Sequence, residues 1–459
     1  MVDNILINRH NPWWQRPEAI NDEPRLVALK TLPLVWHPSI CSELNLEEDA
    51  VHVVTGPRQV GKSTTIRLMI RELLLEKKIP ARNLLLFDCD IVNDSHELAD
   101  IILHFFENIS GHGRKFIFLD EVSFVEKWPA GIKWLIDQGK GTNCTYILTG
   151  SSSINLKKSG ELMPARRGAG KDVEVHPLSF RQYVKLLGHS LPSFNIADMN
   201  FAAIEKMHSQ LLLDIPNITT LFRNYCIHGG FLKPMNELHQ ADFISADTVD
   251  VYLSWLKGEV VKDKRREEIA RIVLDKIISS LGSGISYQSL AEHMDVGSHN
   301  TARSYLDFFI DSFVLHEVPF MQISQRRIAW RKNRKYYFAD PFLCWISMLW
   351  SGGGDNIGAV FNEFDADPSK MGPVIENIIE NHLKFHGLAP AYGTARDREI
   401  DFAFPQAGIG IEVKYQNKIV PSDAAALGGF KHAVVVSRNS LADLGQAIAM
   451  PAYLFCLML

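Results

Sequence analysis

Between residues 51 and 178 the apolar positions fall into short solid runs separated by amphipathic stretches. Val51 to Thr55, Leu84 to Phe87, Phe116 to Leu119 and Thr145 to Leu148 are too short for helices and lack polar alternation, which predicts strands buried on both faces. Lys62 to Glu76, His96 to Asn108 and Ala130 to Gln138 carry apolar residues at helical spacing. Strands alternating with helices across short loops predict a parallel sheet covered on both sides, an α/β domain. Ahead of it, residues 1 to 50 mix Pro12, Pro17, Pro33 and Pro38 with Trp13 and Trp14 and read as an irregular arm. The tryptophan pair is expected to pack on the α/β core.

Further along, residues 181 to 265 show helical spacing, with a helix stop and turn at Tyr225 to Phe231 in which His228 reads as a packed or exposed side chain. Residues 266 to 350 read as helix Glu268 to Leu281, helix Ser286 to Met294, a turn containing Gly297, helix His299 to Ser312, and strands Val314 to Phe320 and Lys335 to Phe338. Helix, turn, helix and hairpin in that order predict a winged helix. Ser351-Gly352-Gly353-Gly354 reads as a joint before a last domain, 355 to 459. There the pattern predicts helix Pro373 to His386, strands Arg398 to Phe404 and Ile409 to Lys414 around the Pro405 to Gly408 turn, and further strands Ala433 to Ser437 and Ala452 to Leu457.

Composition narrows this picture little. The 459 residues, 46% hydrophobic and 22% charged, suit a globular chain of several domains. A net charge of −5 gives no whole-molecule basic field, so contact with nucleic acid has to come from local patches. The six cysteines are scattered without a C-x-x-C pair, which fits a reducing, cytoplasmic setting. The most apolar later run, Phe342 to Trp350, is too short for a bilayer, and no membrane partner is expected.

The chemistry begins where the first strand meets its helix. Gly56-Pro57-Arg58-Gln59-Val60-Gly61-Lys62-Ser63-Thr64 is G-x-x-x-x-G-K-S between a strand and a helix. Such a loop turns backbone N–H groups inward around a polyphosphate, with Lys62 reaching the β- and γ-phosphates and Ser63 a Mg²⁺ ion. Asp120 and Glu121 end the strand Lys115 to Leu119, where Asp120 would meet the magnesium shell and Glu121 would orient and deprotonate water. Thr149 and Ser151, in Thr149-Gly150-Ser151-Ser152, are sensor candidates at the neighbouring strand end, and a plain strand-end turn is the alternative. Arg166-Arg167 offers an arginine finger, Arg167, toward a γ-phosphate in this chain or a neighbour; surface charge is the bland reading.

In the winged helix, Asn300 and Arg303 with His299 lie on the exposed side of the second helix of the turn, while Arg326, Arg327, Arg331, Lys332, Arg334 and Lys335 crowd the wing around Trp330. These cations can neutralise DNA phosphates despite the acidic total, or form a merely solvated charge run. In the last domain, Asp401 and Glu412 on adjoining strands, with Glu376 from the helix, form an oxygen set for a second divalent metal, Mg²⁺ or Mn²⁺. Lys414, two residues past Glu412, faces the same way and can orient or deprotonate a water. An ordinary hairpin with a Glu412–Lys414 ion pair is the alternative.

Taken together, the chain resembles the bacterial and archaeal AAA+-type ATPases that carry a C-terminal domain of unknown function assigned to the PD-(D/E)xK nuclease superfamily. The likeness rests on Asn11-Pro12-Trp13-Trp14, Gly56 to Ser63, Phe118 to Glu121, Leu148 to Ser152, Pro177-Leu178-Ser179-Phe180, Tyr337 to Pro341, Glu376-Asn377, Glu399 to Phe402 and Ile411 to Lys414. It implies an AAA+ P-loop core over 51 to 180, a helical region over 181 to 265, a winged helix over 266 to 350 and a restriction-endonuclease-like α/β domain over 355 to 459. It implies ATP and Mg²⁺ at Lys62, Ser63, Asp120 and Glu121, metal ligands Asp401 and Glu412, a catalytic Lys414 and a helix acid Glu376. It provides no unambiguous second-sensor arginine, and homo-oligomerisation stays open. Two readings follow: an ATP-driven enzyme that binds and remodels DNA with a nuclease attached, and an ATP-driven regulatory switch whose nuclease-like domain binds without cutting.

Overall fold

The structure, a computed structural model, describes residues 4–38, 40–151, 163, 165–194, 199–215, 217–294, 298–352, 354, 356–395 and 397–459. The chain divides into two compact units, Met1–His176 with Asp311–Phe313, and Pro177–Ile310 with Val314–Leu459.

The first unit is built on strands β1 (Ala50–Thr55), β2 (Leu84–Asp88), β3 (Lys115–Asp120), β4 (Cys144–Gly150) and β5 (Asp172–Glu174). They form one sheet in the order β2-β3-β4-β1-β5, and every pair in it is parallel. All residues of β1 and β4 are buried, which is why their sequences carry no alternation. The arm supplies α1 (Asn4–His10), α2 (Pro24–Lys30) and α3 (Ile40–Glu43), and the sheet is covered by α4 (Lys62–Leu75), α5 (Ser95–His104) and α6 (Trp128–Leu135). A π-type turn, Phe105–Ile109, continues α5 over the remainder of the predicted helix.

The arm is fastened to β2, the edge strand. Asn11 donates from Nδ2 to the Leu86 carbonyl at 2.9 Å and accepts the Leu86 N–H at 2.7 Å, and the Trp14 indole donates to the Leu84 carbonyl at 2.8 Å. Trp13 is fully buried. Edge backbone groups that would otherwise be unpaired are thereby satisfied and shielded.

The second unit starts with helices Phe180–Leu186, Phe201–Asp214, Ile218–His228, Leu232–Ala241, Ala246–Lys262 and Glu267–Ser279. Helices Tyr287–His293 and His299–Asp311 follow; Gly297 of the predicted turn lies outside the described residues. Then come β6 (Leu315–Gln322), β7 (Arg327–Ile328) and β8 (Arg334–Phe338), with β6 antiparallel to both of the others. Helices Pro341–Gly352, Ile357–Asp365 and Pro368–Phe385 lead to β9 (Ala391–Ala395), β10 (Arg398–Phe404), β11 (Ile409–Lys414), β12 (His432–Ser437), β13 (Ala442–Asp443) and β14 (Ile448–Pro451). The chain closes in helix Ala452–Met458.

Two expectations change here. Ala452 to Leu457 is a helix, not a strand: with every residue buried the segment has no polar phase to betray its period, and Pro451 leads into it. The glycine joint does not separate two sheets. Ser351 and Gly352 end a helix, Gly353 lies outside the described residues, and β6 pairs in parallel with β9 through Phe320–Tyr392 and Met321–Gly393. The hairpin and the C-terminal strands thus share one sheet, ordered β13-β14-β12-β11-β10-β9-β6-β7 with β8 on β6. Among the described residues no helix is long and apolar enough to cross a membrane.

Candidate functional site

At the C-terminal ends of β1, β3 and β4 the predicted nucleotide residues come together. Gly56 (φ 146°) and Gly61 (φ 98°) bracket the loop, and a side chain at Gly56 would meet the Val175 carbonyl oxygen at 2.3 Å. Among the described residues, no side chain caps the N-terminus of α4, so its first N–H groups face the loop. The Lys62 side chain folds inward and donates to the carbonyls of Gly56 at 2.9 Å and Pro57 at 2.8 Å. Arg58 lies over the Phe124 ring, Gln59 takes a left-handed conformation (φ 64°), Val60 is buried and Thr64 is half-buried.

Asp120 is the hub. Its Oδ1 accepts from Ser63 Oγ at 3.0 Å and Thr149 Oγ1 at 2.6 Å, and its Oδ2 accepts from Arg67 at 2.8 Å. Burial works against ionisation of this carboxyl, but the Arg67 charge and the hydrogen bonds from Thr149, Arg67 and Ser63 outweigh it and hold its pKa below the usual value. Thr149 Oγ1 also accepts the Glu121 N–H at 3.0 Å, locking the acidic pair to β4. The Glu121 carboxylate accepts from the Ser151 N–H at 3.1 Å and Ser151 Oγ at 2.9 Å. Both predicted sensor residues therefore touch the acidic pair; Ser152 lies outside the described residues.

Arg67 was not singled out by the sequence. It stands one helical turn past Ser63 on α4, only 4% exposed. Its guanidinium donates to Glu23 of the arm at 2.8 Å, to the Ser63 carbonyl at 2.9 Å, to Asp120, and to both oxygens of Asp88 at 2.9 and 3.2 Å. One side chain joins the arm, the P-loop helix, β2 and β3. Apart from the i,i+4 relation to Ser63, which any cation at that position would share, the sequence carries no signal of this role. Arg25, half exposed on α2, reaches within 3.5 Å of the same Asp120 oxygen.

Arg167 stands elsewhere. It pairs with Asp172 at 2.6 Å and donates to the carbonyl of Val51, at the beginning of β1, roughly 15 Å of strand from Gly56. Its donors are thus held at the end of β1 opposite the P-loop. Arg166 pairs with Asp137 at 2.7 Å.

In the second unit, Asn300, Arg303, Arg326, Arg327, Arg331 and Lys332 are exposed, and Trp330 is 67% exposed. Arg303 lies 3.5 Å from Asp307, and Arg334 is half-buried against Glu317 at 3.0 Å. Lys335 is not among the surface cations: it is fully buried, with Nζ 2.9 Å from Glu376 Oε1, 2.9 Å from Asp401 Oδ1 and 2.7 Å from Glu399 Oε1. Alternation along β8 turns it inward beside Tyr337, whose hydroxyl donates to the same Glu376 oxygen at 2.5 Å. Burial would lower the lysine pKa, but Glu376, Asp401 and Glu399 outweigh it and raise it well above the usual value. Glu412 pairs with Lys414 at 2.7 Å through one oxygen; its other oxygen is buried without a partner among the described residues. Burial and the Asp401 charge raise the pKa of both Glu376 and Glu412. Of the predicted metal residues, Glu376 and Asp401 are thus gathered about the Lys335 ammonium, while Glu412 pairs with Lys414. Among the described residues no group of three or more His, Cys, Asp or Glu is arranged to hold a metal ion. His228, 1% exposed, hydrogen-bonds the Gly229 carbonyl and is a packed histidine.

A family model described as "AAA domain" matches residues 48–184, and one described as "Domain of unknown function (DUF8612)" matches residues 219–349. Residues 355 to 459 lie outside both. No curated protein matches the sequence. Among solved structures, the ORC1 protein of Aeropyrum pernix in complex with DNA aligns at 11% identity and a TM-score of 0.34, over 76% of this chain and 97% of that one. The ORC2 protein of the same organism, in ADPNP–ADP complexes, aligns at 10% and 0.35, over 77% and 94%. A RuvB variant of Thermotoga maritima aligns at 16% and 0.26, over 66% and 89%. Scores this low do not establish a shared fold across the chain. The AAA match and the P-loop geometry agree on the same residues, and that segment is an AAA-type P-loop ATPase domain.

Proposed function

We propose, taking residues 48–184 as an AAA-type ATPase domain, that this protein binds ATP with Mg²⁺, hydrolyses it at the Lys62–Asp120–Glu121 site, and uses the cycle to remodel DNA held by a winged helix in its second unit. The observation that carries the reading is the continuous set of contacts from Ser63 and Thr149 through Asp120 to Glu121 and Ser151. The loop N–H groups and the start of α4 cradle the phosphates, and Lys62 adds its charge to them. Ser63 Oγ and the ionised Asp120, already adjacent, fit the role of magnesium oxygens; the ion when bound offsets charge on the phosphate oxygens. Glu121, held by Ser151, takes the proton of the water whose oxygen bonds to the γ-phosphorus while the bond to the bridging oxygen breaks. Arg167 remains a finger candidate toward a neighbouring copy.

The exposed cations Arg326, Arg327, Arg331 and Lys332, with Trp330 for stacking and Asn300 and Arg303 on the preceding helix, support DNA contact. Of the two readings of the C-terminal domain, a metal-dependent nuclease and a module that binds without cleaving, the burial of Lys335 among Glu376, Glu399 and Asp401 favours the second. ATP turnover with and without single-stranded, duplex and branched DNA, beside Lys62→Ala, tests the whole. Turnover stimulated by one DNA form and lost in the variant supports a DNA-coupled ATPase. Tight ATP binding with negligible turnover, indifferent to DNA, would replace it with the regulatory switch.

A further inference from the structure

The strand hairpin and the C-terminal sheet meet at one positive charge. Lys335 and Tyr337 share a face of β8, Glu399 and Asp401 share a face of β10, and Glu376 enters from helix Pro368–Phe385. An ammonium has three donors, and the three carboxylates within 2.7 to 2.9 Å of Lys335 Nζ engage all of them. Asp401 spends its other oxygen on the Val413 N–H at 2.8 Å. A divalent ion would need oxygens at about 2.0–2.6 Å from a shared centre, and here the centre shared by oxygens of Glu376, Glu399 and Asp401 is the Lys335 nitrogen.

We propose that Lys335 is the resident cation of this cluster, seated where a nuclease-like site would hold its metal, so that the C-terminal domain is closed to divalent ions and serves as a clasp fastening β8 to β10. Breaking such a clasp strands buried carboxylates, whereas keeping it fixes the hairpin against the sheet. The inference deepens the non-cleaving reading of this domain and is independent of the nucleotide site.

The test is Mn²⁺ binding by the full chain, followed by the paramagnetic resonance of free Mn²⁺, in an Asp120→Asn background without nucleotide so that the P-loop contributes no ligand. With Lys335 present, no Mn²⁺ should bind at roughly 1 mM, and the melting temperature should not move with the metal. Lys335→Met should bind one Mn²⁺ and gain several degrees of melting temperature from it, and Lys335→Met/Asp401→Asn should lose both. Mn²⁺ held by the lysine-bearing protein and released by Asp401→Asn would overturn the clasp, a comparison that does not depend on Lys335→Met folding. A folded Lys335→Met protein that takes up no metal would overturn it too, because the lysine would then not be what keeps metal out. Metal bound to the lysine-bearing protein without any DNA cleavage would sink the clasp and leave the non-cleaving reading standing.

Discussion

Replacing Arg67 by Met removes the guanidinium that answers Asp120, Asp88 and Glu23 while keeping most of the side-chain volume. Asp120 is about as buried as Arg67, so the substitution leaves an anion inside the protein whose remaining ion-pair partner among the described residues is the half-exposed Arg25, 3.5 Å away. Breaking a buried pair in this way costs about 3–5 kcal/mol. At roughly 2–4 °C per kcal/mol for a domain of this size, the melting temperature of the first unit should fall by about 6–20 °C at pH 7.5. The pH dependence gives a second, sharper readout. In the parent, the Asp120 pKa is depressed below 3.8, so its contribution is complete above that value and is lost as pH falls through the depressed pKa. In Arg67→Met, burial governs the carboxyl and raises its pKa above the unfolded one, so the variant loses stability as pH rises and its deficit is smaller at pH 5 than at pH 8. Scanning calorimetry of both proteins across that range measures this, with added Mg²⁺ and a non-hydrolysable ATP analogue expected to restore part of the loss. A variant melting within a degree or two of the parent at pH 7.5, with parallel pH profiles, would refute the idea that Arg67 neutralises Asp120.

Other outcomes follow from the same geometry. Lys62→Ala should reduce ATP turnover by about 10²–10³-fold or more, read in a phosphate-release assay. Thr149→Val orphans the Glu121 N–H and removes a donor from Asp120, so kcat should fall with nucleotide affinity largely kept, as stopped-flow with a fluorescent analogue would separate from KM. Arg326→Ala/Arg331→Ala should weaken duplex binding alike for unrelated sequences and lower the salt slope by about 1 for each phosphate no longer neutralised. His382 is buried and neutral, its Nε2 accepting the Phe180 N–H at 2.9 Å and its Nδ1 donating to the Ile378 carbonyl at 2.8 Å. Burial lowers its pKa to about 4, so the unfolded chain takes up its proton first. The second unit should therefore lose roughly 1.4 kcal/mol per pH unit from this group between about pH 6.5 and 4, a slope that His382→Gln should flatten in thermal melts.

The parallel sheet of the first unit and its acidic strand end were readable because each depends on a local pattern: solid apolar runs for doubly covered strands, and glycines at fixed spacing before a helix. Asp120, Glu121, Thr149 and Ser151 could be found one strand at a time, since a parallel α/β sheet brings strand ends to one edge. Arg67 and Lys335 could not. Each looks like an ordinary cation in its own segment, and its role comes from carboxylates far away in sequence: Glu23, Asp88 and Asp120 for one, Glu376, Glu399 and Asp401 for the other. Lys335 was moreover masked by company, because Arg326 to Arg334 made a charge run into which it seemed to belong. Its phase with Tyr337, ahead of the aromatic run Tyr336 to Phe338, was a local hint of its inward face. The last helix escaped for the opposite reason, having no polar residue to set a phase.

The pairing of β6 with β9 determines where this chain can be cut. Severing it at the glycines around residue 353 would look safe by sequence, yet it would send β6 and β8 into one piece and β9 to β14 into the other. The downstream fragment would bare the edge of β9 to any passing strand, inviting stacking into aggregates. It would also keep Glu376, Glu399 and Asp401 while surrendering their lysine, so that the piece most wanted for separate study of the C-terminal domain is the one least suited to survive alone.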